Sequence, residues 1–200
     1  LRAADVAFLN HEGTLSDALP QTKCGPESKA CYAFRTPVRY TQALVGAGVD
    51  VVSLANNHAM DLGAAGMDST IAALDEAGIA HAGRYGDVAW LEHEGQTIAV
   101  LAAHSGSCCL NVNRIDEVAA AIREADKRAD IVVLSFHGGA EGYDHRHVPG
   151  QVEIAWGERR GDVRALAHAA VEAGADLVLG HGPHVLRGME VYEGRLIAYS

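Results

Sequence analysis

No run among the 200 residues approaches the roughly 18 apolar positions that a membrane-crossing helix needs, so no span is expected within the sequence. Positive charge is also scarce: 16 Lys and Arg stand against 26 Asp and Glu, for a formal net charge of -10. DNA or an anionic membrane surface would meet net repulsion, which disfavours nucleic acid and any partner held through a broad basic field. Neither the phosphate-cradling loop of the nucleotide triphosphatases nor the Gly-x-Ser-x-Gly nucleophile elbow occurs, so those two chemistries lack their machinery. The four Cys, at 24, 31, 108 and 109, do not make the thiolate cage of a structural zinc or iron–sulfur site. No low-complexity linker divides the chain. With 48% apolar and 21% charged residues, residues 1–200 read as one soluble acidic α/β domain, because two ordinary domains would be cramped.

What is present is a recurring unit of helix, Gly stop and short apolar strand. Thr36-Pro37 is expected to cap and open a helix that runs to Ala47, with Gly48 as its left-handed terminus and a strand over 49–54. A helix near 65–77 ends at Gly78, and one from Asp116 to about 127 precedes a strand over 131–135. Another opens at Asp162 and ends at Gly174, with Val163, Leu166, Ala167, Ala170 and Val171 on one face, before 177–179. Segments 88–91 and 97–101 flank Glu94-Gly95-Gln96 as a hairpin, and 189–192 and 196–199 do the same around Glu193-Gly194. Parallel units with antiparallel hairpins imply a mixed sheet or two packed sheets. Segments 20–34 and 137–160 follow no period; long loops of this kind in a compact domain are usually functional.

Four expected strands run into residues that bind metals. Strand 6–9 leads to Asn10-His11-Glu12, and 51–54 leads to Ala55-Asn56-Asn57-His58. Strand 131–136 leads to His137-Gly138-Gly139, and 177–179 leads to Gly180-His181-Gly182-Pro183-His184. Ligands of α/β sheets bind outside the carboxyl ends of the strands, and four polar tips together argue for one shared site. The donors are a carboxylate, amide oxygens and imidazoles, a set suited to Mn, Fe or Zn. One Glu, one or two Asn and three His exceed the needs of a single ion. Two ions about 3.5–4 Å apart activate water and stabilise both oxygens of a displacement.

In this order Asn10-His11-Glu12, Ser53-Leu54-Ala55-Asn56-Asn57-His58-Ala59-Met60-Asp61-Leu62-Gly63, His137-Gly138-Gly139-Ala140-Glu141 and Gly180-His181-Gly182-Pro183-His184-Val185 resemble the motifs of the poly-γ-glutamate capsule-biosynthesis family, CapA. Glu190, Tyr192 and Ile197-Ala198-Tyr199-Ser200 extend the resemblance over nearly the whole chain. The family looks like a branch of the calcineurin-like metallophosphatases. That implies a four-layer α/β/β/α sandwich of two mixed sheets, here truncated at both ends. It also implies a metal-dependent hydrolase acting on a phosphoester or γ-glutamyl amide, with a non-catalytic accessory subunit for polymer synthesis or export as the alternative. Carried over, Glu12 bridges two divalent ions, Asn57, His137, His181 and His184 complete the ligands, and His58 is the general acid. Asn10, Asn56 and Glu141 stand behind the ligands or face substrate, Asn56 with an alternative as a loop cap.

The chain departs from the family pattern in three places. The pattern spaces its last His pair two apart, whereas position 182 is Gly, which leaves open how His181 and His184 divide between ions. The Asp of an earlier strand and the Gly-Asn-Phe after Tyr199-Ser200 have no counterpart, and residue 1 is Leu, so the sequence reads as an excerpt. The resemblance further implies an extracytoplasmic location, a polyglutamate-like or small-molecule substrate, a capsule-synthesis complex and an anchor outside these residues. A polyanionic substrate would approach only where metal ions or local Arg outweigh the net charge. In an oxidising location Cys24 and Cys31, six residues between them, could pair and hold the loose segment around them; adjacent Cys108 and Cys109 do not easily pair with each other. His11, His81, His93, His104 and His168 match no motif and are read as packed or surface residues.

Overall fold

The computed structural model describes residues 1–29 and 31–200. The chain opens with β1 (Phe8–Asn10), β2 (Thr14–Leu15) and β3 (Arg35–Thr36), then a 3-10 turn over Val38–Tyr40 that leads into α1 (Thr41–Ala47). Next come β4 (Val51–Ser53), α2 (Gly63–Ala77), β5 (Ala80–Ala82), β6 (Ala89–His93), β7 (Gln96–His104) and β8 (Leu110–Asn111). The remainder is α3 (Ile115–Asp126), β9 (Ile131–His137), β10 (Glu153–Ala155), β11 (Glu158–Gly161), α4 (Val163–Glu172), β12 (Leu177–His181), β13 (Met189–Tyr192) and β14 (Arg195–Ala198).

Three apolar clusters separate four layers. Val52 and Leu54 of the small sheet β1-β4-β5 pack against Met67, Ala73 and Leu74 of α2, with Leu44 of α1 at the margin. Val51 and Ala82, from the other side of that sheet, meet Val100, Ala102 and Val133 of the large sheet. The large sheet's far face, including Leu101, Leu134 and Phe136, is covered by α3 and α4 through Ile122, Leu166 and Ala170. The result is the α/β/β/α order. The large sheet, β13-β14-β12-β9-β7-β6 with β8 attached to β7, is mixed. The pairs of the small sheet are both parallel, so mixing is confined to one of the two sheets.

Local chemistry accounts for most boundaries. The Asp162 side chain accepts a hydrogen bond from the Ala165 amide and caps α4. Asp116 and Glu117 in the first turn of α3 and Arg123 in its last suit the helix dipole. Thr36 does not cap a helix: its carbonyl accepts from the Ser16 amide alongside the β2–β3 pairing, and the α-helix begins only at Thr41. The two expected hairpins form with both turn residues at positive φ, Glu94 and Gly95 in one and Glu193 and Gly194 in the other. A third hairpin, β10–β11, lies inside the segment read as irregular, and Trp156 and Gly157 make its turn.

Candidate functional site

Strands β7, β9 and β12 run parallel and adjacent, and their register sets His104 beside His137 and His137 beside His181. Level residues on neighbouring strands project from the same face of a sheet. Three imidazoles therefore form a row at the carboxyl end of the large sheet. Strand β7 is longer than expected, which brings in His104; the rings of His104 and His137 stand edge to face, 5.9 Å apart.

The loop after β1 brings a carboxylate to this row. Glu12 Oε1 lies 3.8 Å from His137 Nε2 and 3.7 Å from His184 Nε2. The Asn10 amide donates to Glu12 Oε2 at 3.3 Å. A side chain at 182 would be strained, because φ there is 112° and a Cβ would come within 3.1 Å of His137 Cδ2 and of the Gly138 backbone. The chain therefore offers the second imidazole of the pair from 184, a residue at φ 54 in the left-handed region, while His181 stays on β12 with its ring 5.7 Å from Phe8.

Burial sets the protonation of the row. It drives the pKa of His137 down to about 2, helped by the charges of His104, Arg160, His181 and His184, that of His181 to about 4 and that of His104 to about 3. A neutral imidazole is the form that binds a metal. Several buried polar atoms here have no hydrogen-bond partner: Asn57 Oδ1, both ring nitrogens of His137, His181 Nε2 and His11 Nε2. Buried polar atoms are normally paired, and a neutral imidazole has one acceptor nitrogen, so Asn57, His137 and His181 each leave one acceptor available to a cation. Among the described residues, no three His, Cys, Asp or Glu side chains are gathered tightly enough to close round an ion as they stand. Glu12 nevertheless lies within 4 Å of two imidazoles, and the donors present fit a divalent metal in chemistry.

The block Asn56-Asn57-His58 is held from behind. Asn56 accepts the His58 amide at 3.0 Å and donates to Asn10 Oδ1 and the His11 carbonyl, so it acts as a bracket between the loops after β1 and β4. His58 Nδ1 is 2.7 Å from Asp61 Oδ2. Burial pushes the Asp61 carboxyl up, but the hydrogen bond with His58, the Lys23 ammonium beside Oδ1 and the Phe34 amide outweigh it and hold Asp61 below its ordinary value. Nδ1 also has the Lys23 ammonium 3.3 Å away, and in the tautomer whose Nδ1 donates to Asp61 the His58 Nε2 is the atom left to carry or release a proton. Glu141 is engaged elsewhere: it accepts from Trp156 Nε1 at 3.0 Å and from Arg160 Nη2 at 3.1 Å. Arg187, with a fully buried side chain, donates to both oxygens of Glu153 and to the Ala140 carbonyl, which ties the loops after β9 and β12 together.

The structure thus brings Glu12 beside His137 and His184, sets His181 level with His137 by register and ties the His58 amide to Asn10 through Asn56, while Asn57 lies between Asn56 and His58 with its Oδ1 buried and unpaired. Sequence reasoning missed His104, Asp61 as the partner of His58, Lys23, Arg160 and Arg187. His104 closes an apolar run before Ser105-Gly106, the same strand-tip signal used for the others, and Asp61 sits three residues after His58. The cysteines Cys24 and Cys31 are joined in a disulfide, whereas Cys108 and Cys109 are free with sulfurs 3.5 Å apart.

Comparison with known proteins identifies the family and the fold. A family model, bacterial capsule synthesis protein PGA_cap, matches residues 1–200. The capsule biosynthesis protein CapA of Bacillus anthracis is 34% identical over 179 residues, 80% of this chain and 40% of that protein. The PGA biosynthesis protein CapA of Bacillus subtilis is 35% identical over 167 residues, 75% of this chain and 40% of that one. A Mycobacterium tuberculosis protein named "Probable polyglutamine synthesis accessory protein" is 31% identical over 232 residues, 99% of this chain and 54% of its own length. The chain thus spans about half, or less, of the length of these relatives. Among solved structures, a Staphylococcus aureus protein named as a 5'-nucleotidase superposes with a TM-score of 0.51 at 14% identity, over 82% of this chain and 37% of that one. That likeness shows a metallophosphatase-like fold.

Proposed function

The chain belongs to the bacterial capsule synthesis protein family PGA_cap, and on that premise we propose that its strand-end cluster binds divalent metal ions for a hydrolytic step on a phosphoester or γ-glutamyl amide in polymer synthesis. The observation that carries the reading is the approach of Glu12 to the His137 and His184 imidazoles, with Asn57 Oδ1 and ring nitrogens of His137 and His181 buried without a hydrogen-bond partner. Glu12, Asn57, His137, His181 and His184 would hold one or two ions such as Mn, Fe or Zn. Bound there, such ions supply Lewis-acid polarisation and a water of lowered pKa. The chain's own residues do the rest. His58 delivers a proton from Nε2 to the leaving atom, the oxygen of a phosphoester or the nitrogen of a γ-glutamyl amide, and Asp61 keeps its ring oriented. Asn10 orients Glu12, and Asn56 fixes the distance between the two loops.

The test is elemental analysis of the full-length protein, followed by a screen of phosphoester and γ-glutamyl amide substrates with Mn, Fe or Zn supplied. Bound metal with turnover is expected, and protein that takes up no metal overturns the reading. A relative named as an accessory protein favours a second reading, in which the same fold organises synthesis or export without turnover. Metal uptake with no hydrolysis of either substrate class would select it.

Residues 1–200, matched throughout by one family model, are proposed as one domain. Its working partners are a polyglutamate-like or small-molecule substrate and a capsule-synthesis complex at the cell envelope, outside the cytoplasm. No helix among the described residues is long and apolar enough to cross a membrane. The disulfide supports the oxidising location. Non-reducing peptide maps of exported protein should recover Cys24 and Cys31 linked; free thiols at both would contradict it.

A further inference from the structure

The chain between β2 and β3 leaves the sheet as a strap, and none of the described residues from 17 to 40 is buried. Such a segment has little apolar packing to hold it down. What closes it is the Cys24–Cys31 disulfide, and both ends of the closed segment rest on the His58–Asp61 pair. Just before the disulfide, the amides of Thr22 and Lys23 donate to the Asp61 carbonyl at 2.9 and 3.3 Å. The Lys23 ammonium donates to the Asn57 carbonyl at 2.8 Å and lies 2.9 Å from Asp61 Oδ1. Just after it, the Phe34 amide donates to Asp61 Oδ2 at 2.6 Å, and the Phe34 ring centre is 4.2 Å from that of His58.

The charges make this more than a surface ion pair. The Asp61 side chain is fully buried, and that of Lys23 is 30% exposed. His58 and the Phe34 amide occupy Oδ2, while Oδ1 has the ammonium beside it in ion-pair contact without hydrogen-bond alignment. If that cation is taken away, Oδ1 is left buried with no compensating charge, and the carboxylate gains a reason to turn. Turning it would loosen the bond that orients the His58 ring. The carbonyl of Asn57, the residue whose Oδ1 is unpaired in the cluster, would be released at the same time.

We infer that Lys23 is a positioning residue of the site, delivered by the strap and kept there by the Cys24–Cys31 closure. It braces Asp61 on the oxygen that His58 does not use, and it pins the Asn57 backbone. This rests on the proposed function only in assigning His58 and Asn57 to the site.

The experiment needs neither metal nor turnover, so its failure is distinct from failure of the proposed function. In the full chain labelled with 15N-histidine, the His58 Nδ1 proton bonded to Asp61 is followed by NMR and identified by its loss in His58→Gln. Its solvent exchange is measured in the unsubstituted protein, Lys23→Met, Lys23→Arg and the double variant Cys24→Ser/Cys31→Ser. Lys23→Met is expected to speed exchange by about tenfold or more, as local opening becomes easier. Lys23→Arg should recover most of the protection. The double serine variant should resemble Lys23→Met although Lys23 is intact. Exchange within about twofold of the unsubstituted protein, in a folded Lys23→Met chain, would overturn the inference, as would a fast Lys23→Arg. If Lys23→Met fails to fold, the double serine variant decides by the same measurement: fast exchange supports the inference, and unchanged exchange overturns it.

Discussion

Replacing Glu153 with Leu should cost about 3–5 kcal/mol, the range for stranding one partner of a buried ion pair. The side chains of Arg187 and Glu153 are 0% and 5% exposed. Two guanidinium–carboxylate bonds of 2.9 and 2.8 Å join them, and a third, of 3.0 Å, runs from Arg187 to the Ala140 carbonyl. Packing leaves little space for water to substitute, since a Cβ at Gly139 would come within 2.7 Å of Arg187 Nη1. The two single substitutions are unequal. A carboxylate stranded by Arg187→Leu can take up a proton and still accept from the Ala140 amide at 3.2 Å, whereas a stranded guanidinium keeps its charge. Glu153→Leu should therefore be the worse of the two, and the double replacement better than Glu153→Leu alone, because apolar substitutes for a whole buried pair are often neutral. Urea unfolding of the three variants measures this; in a chain of this size the loss corresponds to about 6–20 °C in Tm. A double variant whose loss equals the sum of the singles to within about 0.5 kcal/mol would refute the coupling.

Three further outcomes are expected. His58→Ala should retain bound metal and lose about 10²–10⁴-fold in turnover, whereas His137→Ala should lose metal first; metal content and rates measured together would expose a reversed assignment. The metal-free protein should be acid-sensitive. Its folded His104, His137 and His181 have depressed pKa values and bind fewer protons than the unfolded chain, so their contribution is complete above about pH 6.5 and falls by about 1.4 kcal/mol per His per pH unit below it, down to about pH 4; an unchanged Tm between pH 7.5 and 5 would show the row is not held neutral. Gly180→Ala should destabilise by about 1–3 kcal/mol, since its Cβ would meet Phe136 Cζ at 2.5 Å and the Tyr199 carbonyl at 2.6 Å, while Gly46→Ala in α1, with nothing within 4 Å, should stabilise by about 0.5–1 kcal/mol in thermal melts.

The layers and the strand tips were legible in the sequence because they depend on local pattern. The run 131–134 is apolar throughout since a central strand buries both faces, and Asp162 announces its helix through a bond three residues away. His104 was lost with the end of its strand, which sequence reading stopped at Leu101. The β10–β11 hairpin was hidden for a different reason: its buried members, Glu153, Ala155, Arg160 and Gly161, include two charged residues, while Ile154 and Trp156 face outward, an inversion that no hydrophobic period detects. Lys23 and Phe34 meet Asp61 across 38 and 27 residues, a choice of partner made only by the folded chain.

Trp156 gives the molecule an optical consequence. The chain has two tryptophans: Trp90 lies under Arg128 at the edge of the large sheet, and Trp156 stands 86% exposed at a hairpin tip with its indole N–H bound to Glu141. Glu141 belongs to the loop that begins at His137, so the emission of one ring is tethered to the edge of the histidine row. With Trp90 replaced by Phe, intrinsic fluorescence becomes a single-emitter gauge of that loop's geometry, readable without a dye or a substrate.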